Sequence, residues 1–216
     1  GIKTKIRGIQ THGGVTETVL TGDRAALNLS HVKSSDITRG TVLATPDCLQ
    51  SSNRILANIS MTNSTDWIIK NKQRLRFHMG TSEILGRVSG KKLEKGQSGN
   101  VIIDLESPVA VAMDDRFVVR SYSPMDTIAG GLVIDPKPVG KWSVLRHRTD
   151  SLPIDPKERF GYLIDEDWKT PKSREKWQML FFISKEILQS WMVEIHVMES
   201  EGGILYSEFG LEKGKK

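Results

Sequence analysis

The stretch Arg120-Ser-Tyr-Ser-Pro-Met-Asp-Thr-Ile-Ala-Gly-Gly-Leu-Val-Ile-Asp-Pro136 predicts two strands joined by a tight loop, with apolar runs at 117–119 and 132–134. Pro124 has no backbone N–H and a fixed φ angle, so Ser123-Pro124 cannot continue a strand ladder. The pair Gly130-Gly131 permits a β-bulge or the close approach of another backbone. We therefore expect a rigid loop rich in small polar groups. Such a loop suits contact with a phosphate backbone, and many purely structural hairpins have the same pattern.

Period-2 alternation and regular turn spacing extend from this stretch through residues 50–136 and favour a small closed β-barrel. The predicted strands of this barrel are residues 54–62, 74–79, 83–88, 100–105, 116–121 and 127–134. Residues 1–49 predict further short strands at 3–9, 15–20, 24–29 and 41–45, with turns at Gly13-Gly14 and Gly22-Asp23. We interpret this first segment as the second half of another β-barrel.

The pattern changes after Pro136. Prolines at 136, 138, 153 and 156 predict a linker over 137–156, and helical spacing follows. We expect Thr170 to cap a helix that has Pro171 at its first position, and Ser184 to cap the next. Apolar residues expected to face inward are Phe160, Leu163, Ile164, Trp177, Leu180, Phe181, Ile187, Leu188, Trp191 and Met192. Alternation at 193–197 and 204–206 then predicts a hairpin, which together with the helices favours a winged helix over 157–216.

Bulk composition excludes several classes of protein. The 38% hydrophobic and 26% charged fractions are those of a folded globular chain. No apolar run approaches the ~20 residues of a membrane helix, and the first residues show no signal peptide. Cys48 is the only cysteine, so an internal disulfide is impossible and a cytoplasmic location is expected. The net charge of +5 favours a polyanionic partner only weakly.

The residues Lys70, Lys72, Arg74, Arg76 and His78 alternate with other residues, so one strand would place all five on one face. Same-face neighbours on a strand lie ~7 Å apart, close to one nucleotide step, and such a row can follow phosphates. A solubilising edge strand protected by lysines has the same pattern. No defensible catalytic pair, metal-ligand spacing or nucleotide-binding loop occurs in the sequence, so no metal site and no enzymatic activity are expected of this chain.

Three blocks of the sequence resemble the selenocysteine-specific elongation factors, SelB. One is residues 120–136, with the pattern R-x-Y-S-P-x-x-T-I-x-G-G-x-V-I-D-P, another is residues 78–88, and the third combines 6–12 with 21–29. Ala129 stands where a third glycine is expected, and Met79 interrupts a usual pair of histidines. We expect these departures to reshape loops without changing the fold.

The resemblance implies a mainly β fold with barrels similar to the second and third domains of elongation factor Tu, followed by a small α+β winged-helix-like domain. It implies that 1–49 is the end of the second domain, 50–136 the third domain, 137–156 a linker, and 157–216 a winged-helix-like module and tail. The family's GTP and magnesium belong to a separate GTP-binding domain that this sequence does not match, so no cofactor is expected here.

The resemblance also implies a role for individual residues. Arg24 matches the arginine that lines the aminoacyl pocket. A selenol ionises more readily than a thiol, and a fixed guanidinium stabilises the resulting anion. A solvated turn arginine is the alternative. The residues expected to contact tRNA are Lys70, Lys72, Arg74, Arg76, His78, Arg87, Arg120, Ser123, Pro124 and Thr127.

The partners implied are selenocysteinyl-tRNA and the ribosome. In the family the mRNA hairpin is held by the last winged-helix modules, and the helix expected around 185–194 is not notably basic. We therefore expect no contact with the mRNA hairpin through this part of the chain, and no membrane partner.

Two other interpretations remain open. The chain is alternatively a β-barrel module of another translation GTPase that accepts ordinary aminoacyl-tRNA. Arg24→Ala in a full-length factor separates these, because an unchanged preference for selenocysteinyl-tRNA over seryl-tRNA removes the selenium interpretation. A winged-helix DNA-binding regulator is the other alternative, and it predicts salt-sensitive binding of duplex DNA that requires residues 157–210.

Overall fold

The computed structural model describes residues 1–214, which form two compact units, Gly1–Pro46 and the chain from Asp47 onward. Lys215 and Lys216, the end of the predicted tail, lie outside the described residues. Each unit is described below by itself.

The first unit is a three-stranded antiparallel sheet in the order β2-β1-β3, with β1 Ile6–Thr11, β2 Gly14–Thr16 and β3 Ala25–Leu29. The predicted strand at 15–20 stops early because the Thr16 hydroxyl donates to the Thr18 carbonyl and accepts from the Thr18 N–H, which turns the chain. The prediction of a strand at 41–45 is wrong. That segment lies between Gly40, at φ 96°, and Pro46, and it pairs with no neighbouring strand.

The first unit has almost no interior of its own. Ser30 is its single buried residue, whereas Val15 and Leu20 are 83% and 79% exposed. A 3₁₀ turn, Ser34–Asp36, lies beyond β3. A sheet that leaves this much apolar surface in water needs a covering partner for independent stability. The interpretation of residues 1–49 as half of a barrel stays a prediction.

The second unit contains a closed six-stranded barrel in the order β4-β7-β6-β5-β8-β9, which confirms the barrel prediction. The strands are β4 Ser51–Met61, β5 Arg74–Met79, β6 Ser82–Gly90, β7 Ser98–Ala110, β8 Arg116–Arg120 and β9 Thr127–Asp135. All neighbouring strands are antiparallel, and β9 closes the barrel by pairing with β4.

The packing of the barrel interior explains why residue 131, in the stretch 120–136, is a glycine. Gly131 pairs with Phe117 across β8 and β9, and a Cβ on Gly131 would lie 2.1 Å from the Phe117 ring. The glycine therefore leaves room for an aromatic ring. From the sequence we expected it to leave room for another backbone. Ala129 and Met79, the two departures from the family pattern, are both buried in the barrel core.

Within residues 1–214, five helices and a short hairpin follow the barrel. They are α1 Trp142–Ser151, α2 Pro156–Glu166, α3 Arg174–Phe181, α4 Lys185–Glu194, the hairpin β10 Met198–Glu199 with β11 Leu205–Tyr206, and α5 Glu208–Gly214. The order α2, α3, α4, hairpin is the one predicted for a winged helix. The region predicted as a linker, 137–156, contains α1, because its prolines lie before and after that helix and leave its interior free.

Several local predictions in this module are wrong. The N-cap of α3 is Ser173, whose hydroxyl accepts from the Lys176 N–H at 3.3 Å, so Thr170 caps no helix. Ile187 is 44% exposed instead of facing inward. The predicted strand at 193–197 is absent because α4 continues through Glu194. Ser184 caps α4 as predicted.

The helices pack on one outer face of the barrel. Leu56, Ile102 and Ile134 point out of β4, β7 and β9 and share one core with α1 and α2. At its centre, Phe160 of α2 makes an edge contact with Trp177 of α3, at 5.3 Å between ring centroids. Helix and barrel therefore bury each other's apolar residues. None of the helices within residues 1–214 is long and apolar enough to cross a membrane.

Candidate nucleic-acid interface

Strand β5 turns two arginines and a histidine outward. Arg74, Arg76 and His78 are partly exposed, while the alternate residues 75, 77 and 79 are buried in the barrel. The alternation predicted for this strand is confirmed over these residues. Lys70 and Lys72 do not extend the row, because they precede the strand and Lys72 has a left-handed backbone at φ 65°. The five-residue row on one strand is therefore wrong.

The neighbouring strands add two arginines beside this row. Arg87 of β6 lies directly opposite Arg74, and Arg120 of β8 lies directly opposite Arg76. Directly opposed residues on antiparallel strands point to the same face with Cβ atoms ~5 Å apart. The outer surface of β6, β5 and β8 therefore carries two cross-strand pairs of arginines, Arg74 with Arg87 and Arg76 with Arg120, and we call the surface formed by these two pairs the cationic face.

Two carboxylates restrain part of this charge. Arg74 donates two hydrogen bonds to Glu106, at 2.7 and 2.8 Å, and Arg76 pairs with Glu83. The hydrogen bond from Arg74 holds the pKa of Glu106 below its ordinary range and, in turn, the pKa of Arg74 is raised. The imidazole of His78 lies 4.0 Å from Glu83. The sequence analysis did not identify either carboxylate as a partner of these arginines, because strand pairing alone brings them together.

The other two arginines, Arg87 and Arg120, form no ion pair within residues 1–214, and Arg87 is close enough to Glu106 to help lower the pKa of that carboxyl. Arg87 donates to the Lys72 carbonyl at 3.3 Å. Arg120 donates to the Thr127 hydroxyl at 3.3 Å and contacts the Met125 sulfur at 3.6 Å. These neutral contacts orient the guanidinium groups while leaving their charge available to an anion.

The loop between β8 and β9 is fastened by one buried hydroxyl. Ser121 is fully buried, accepts from the Asp126 N–H at 3.0 Å and donates to the Pro124 carbonyl. The Ser123–Pro124 peptide is cis. The intervening residues 122–125 are exposed, so the loop predicted from the sequence is present and turned to solvent, and its rigidity stays a prediction.

Tyr122 connects the loop with the cationic face. The guanidinium groups of Arg74 and Arg76 lie 5.1 and 5.8 Å from the centroid of its ring, which is itself about half exposed. Stacking of this kind fixes long side chains in one direction. Tyr122 lies within residues 120–136, but the neighbouring residues in the sequence do not show that its ring contacts arginines of β5.

Lys70 and Lys72 belong to a cleft next to this loop. The cleft has a volume of about 1010 Å³, and Thr127, Asp126 and Trp67 also line it. The structure thus brings Lys70, Lys72 and Thr127 together in the cleft. It brings Arg74, Arg76, Arg87 and Arg120 together on the adjoining cationic face.

Arg24 lies in the first unit, immediately before β3. Its carbonyl accepts from the Thr11 hydroxyl at 3.0 Å, which ties its backbone to β1. Its side chain is exposed and has no ion-pair or hydrogen-bond partner among the described residues. An anchored backbone with a free guanidinium suits anion binding and also fits the alternative of a solvated turn arginine. No group of side chains suited to hold a metal occurs within residues 1–214.

The comparison with known families covers this barrel. Residues 54–139 match the family described as "Selenocysteine-specific elongation factor, beta-barrel domain". The barrel belongs to that family. The resemblance to SelB that the sequence suggested is thereby confirmed, and with it the mainly β fold class. The loop, the cationic face and the cleft all lie within the SelB barrel.

Relatives extend the match beyond the barrel. The chain is 34% identical over 153 residues to the selenocysteine-specific elongation factor of Desulfomicrobium baculatum, covering 69% of the chain and 24% of that protein. It is 29% identical over 132 residues to the factor of Escherichia coli (strain K12), covering 60% and 20%. The chain therefore spans about a quarter or less of the length of these curated relatives.

Solved structures support the fold. A crystal structure of the bacterial selenocysteine-specific elongation factor EF-Sec aligns over 100% of the chain and 34% of its own, with a TM-score of 0.76 and 22% identity. The apo form of translation elongation factor SelB from Methanococcus maripaludis aligns over 63% of the chain and 34% of its own, with a TM-score of 0.55 and 20% identity. At these identities the likeness concerns the fold alone.

Proposed function

We propose that this stretch of a SelB-type factor binds the acceptor and T arm of selenocysteinyl-tRNA, which the whole factor delivers to the ribosome. The observation that carries the proposal is the cationic face beside the fastened loop. Two arginines of that face, Arg87 and Arg120, are oriented by neutral contacts, and the loop presents small polar groups next to them. GTP and magnesium would be bound by another domain of the factor.

The chemistry of this surface fits double-stranded RNA. Side chains cannot read the deep, narrow major groove of an A-form helix, so proteins recognise its shape, its phosphates and its 2′-hydroxyl groups. Arginine forks donate in pairs to phosphate oxygens. Ser123, Thr127 and the exposed backbone of the loop offer the small polar groups that reach sugar hydroxyls. The surface therefore favours a tRNA arm over a sequence-specific duplex.

For Arg24 we propose the aminoacyl pocket. Its free guanidinium in the described residues is available for a selenolate, and a hydroxyl of a seryl group offers no such charge. A hydrogen bond to a charged group is worth about 1.5–3 kcal/mol, which sets the expected size of the preference. The Arg24→Ala comparison in a full-length factor, described above, tests this role.

The tRNA interface is tested by titrating the chain with a fluorescently labelled selenocysteine tRNA transcript at several salt concentrations. Arg120→Gln removes one phosphate contact, so the plot of log K against log salt becomes less steep by about 0.7–0.9. Lys169→Gln is the matched control, because Lys169 is an exposed lysine stacked on Trp168 in the helical module, away from the loop. Equal effects of the two substitutions, or binding of duplex DNA as tight as that of tRNA, would contradict the proposal.

A further inference from the structure

A second group of cations, which includes Lys72, surrounds the ring of Trp142. Trp142, the first residue of α1, has the Lys72 ammonium 4.6 Å from its ring centroid. The guanidinium groups of Arg54 and Arg146 lie 5.1 and 5.9 Å from the same centroid. One partly exposed ring thus holds three like charges that come from β4, from the turn before β5 and from α1.

Most of this charge is not neutralised within the protein. Arg54 pairs with Asp104 at 2.6 Å. Lys72 and Arg146 have no carboxylate partner within the described residues, and both side chains are exposed. All three charged groups lie within 6 Å of the same ring centroid, so they repel one another, and the attraction of the ring for each cation is modest. An anion placed between them would remove that repulsion, so the arrangement fits a ligand with negative charge.

A cleft runs from this ring along the barrel. It has a volume of about 840 Å³ between α1 and the ends of β6 and β7, and Trp142 and Arg146 form part of its wall. Its lining mixes apolar residues with polar ones: the Asn58 amide donates to Asn100 at 2.9 Å, and the buried Ser89 hydroxyl has no hydrogen-bond partner among the described residues.

Asn71 lines both this cleft and the cleft that contains Lys70, Lys72 and Thr127. The two clefts therefore meet next to Lys72, whose ammonium lies on Trp142. The far wall carries Lys91 and Lys92, paired with Asp150 and Glu94 respectively at 2.5 Å. The charge that is free to bind a ligand is thus concentrated at the junction of the clefts, on Lys72 and Arg146.

We propose that the RNA-binding surface continues from the loop through Asn71 and Lys72 to Trp142 and Arg146, so that helix α1 holds an additional stretch of phosphodiester backbone. This inference rests on the proposed function and extends it to a helix that the sequence assigned to a linker. A phosphate lies between Lys72 and Arg146 on the Trp142 ring. The amides and hydroxyls of the second cleft then take the adjoining sugar and phosphate oxygens.

The same labelled tRNA transcript tests this extension with Arg146→Gln, since Arg146 lies outside the loop and the cationic face. We expect the salt-dependence plot to lose about 0.7–0.9 of its slope, the value for one phosphate. Trp142→Leu, which keeps an apolar side chain and removes the π surface, is expected to weaken binding as well. Lys169→Gln again serves as the matched control, since it removes another lysine stacked on a tryptophan.

The outcomes separate the two proposals. If Arg120→Gln reduces the slope and Arg146→Gln and Trp142→Leu both match the control, the extension to α1 is wrong and the loop interface stands. If Arg146→Gln reduces the slope and Arg120→Gln does not, the loop interface is wrong and the α1 surface stands. If the folded wild-type chain shows no salt-sensitive complex with the transcript, both are overturned.

Discussion

The two outer faces of the barrel use arginine in opposite ways. On the cationic face, Arg74 meets Glu106 in a pair whose side chains are 36% and 44% exposed. On the face covered by helices, Arg148 of α1 meets Asp135 of β9, and these side chains are 8% and 11% exposed. Both pairs join an arginine to a carboxylate, but only the pair on the covered face is buried. Burial decides whether such a pair serves the fold or remains available to a ligand.

On the face covered by helices, the buried carboxylate of Asp135 needs its arginine partner. Arg148 donates to Asp135 at 2.7 Å and also pairs with Glu166 of α2, so it joins β9, α1 and α2. Burial raises the pKa of Asp135 despite the opposing effect of Arg148. A carboxylate in that position stays charged at neutral pH only at the cost of its lost hydration. The exposed pair has no such cost, since water solvates either partner alone.

The largest expected effect follows from removing the buried arginine. Arg148→Ala leaves Asp135 without its cation and Glu166 without its partner, and loss of one member of a buried pair costs about 3–5 kcal/mol. Urea unfolding followed by circular dichroism measures the change in the free energy of unfolding. Arg146→Ala is the matched control two residues away on α1, where the side chain is exposed, and surface substitutions cost within about 0.5 kcal/mol. Equal costs for both would show that burial does not separate the two faces.

A smaller effect is expected inside the barrel, beneath both faces. Gly131→Ala places a methyl group on the Phe117 ring, and overpacking of this kind costs about 1–3 kcal/mol. Gly130→Ala is the control on the adjacent residue of β9, where the nearest atom, the Phe117 carbonyl oxygen, is 4.0 Å away. Thermal unfolding of the two variants measures the difference. A Gly130→Ala variant as unstable as Gly131→Ala would indicate a general need for glycine in β9 rather than a fit to the Phe117 ring.

The same contrast explains what could be predicted from the sequence. Alternation along β5 placed Arg74, Arg76 and His78 outward, because in a strand neighbouring residues alone determine side-chain direction. The alternation also continued back to Lys70 and Lys72, but these residues precede the strand in a turn where Lys72 has a left-handed backbone, and hydrophobic periodicity does not reveal such a turn. Contacts between distant segments, such as Arg74 with Glu106 or Arg148 with Asp135, depend on strand register and helix docking.

Helix α1 is a second element that could not be predicted from the sequence. Its prolines at both ends gave the region the composition of a linker. The buried apolar residues of the region are Leu145 in α1 and Leu152 immediately after it, which are 0% and 2% exposed. One buried apolar residue within a helix of ten gives only a weak helical period. Tertiary packing on the outward residues of β4, β7 and β9 stabilises the helix. The sequence alone therefore could not reveal the surface that α1 adds beside Lys72.

The smallest expected effect lies on the exposed face and depends on pH. Arg74 holds the pKa of Glu106 below its ordinary value of 4.5 in the folded chain, so the pair contributes stability above that value. As the pH falls through the lowered pKa, Glu106 takes up a proton and this contribution disappears. Glu106→Gln should therefore be slightly less stable than the wild type at neutral pH, and the difference should vanish in acid. Urea midpoints measured at a series of pH values test this, with Glu212→Gln as a control on α5, where Glu212 has no ion pair within residues 1–214. A difference that persists unchanged into acid would mean that Glu106 acts through packing, and the exposed face would then resemble the covered one more closely than its burial indicates.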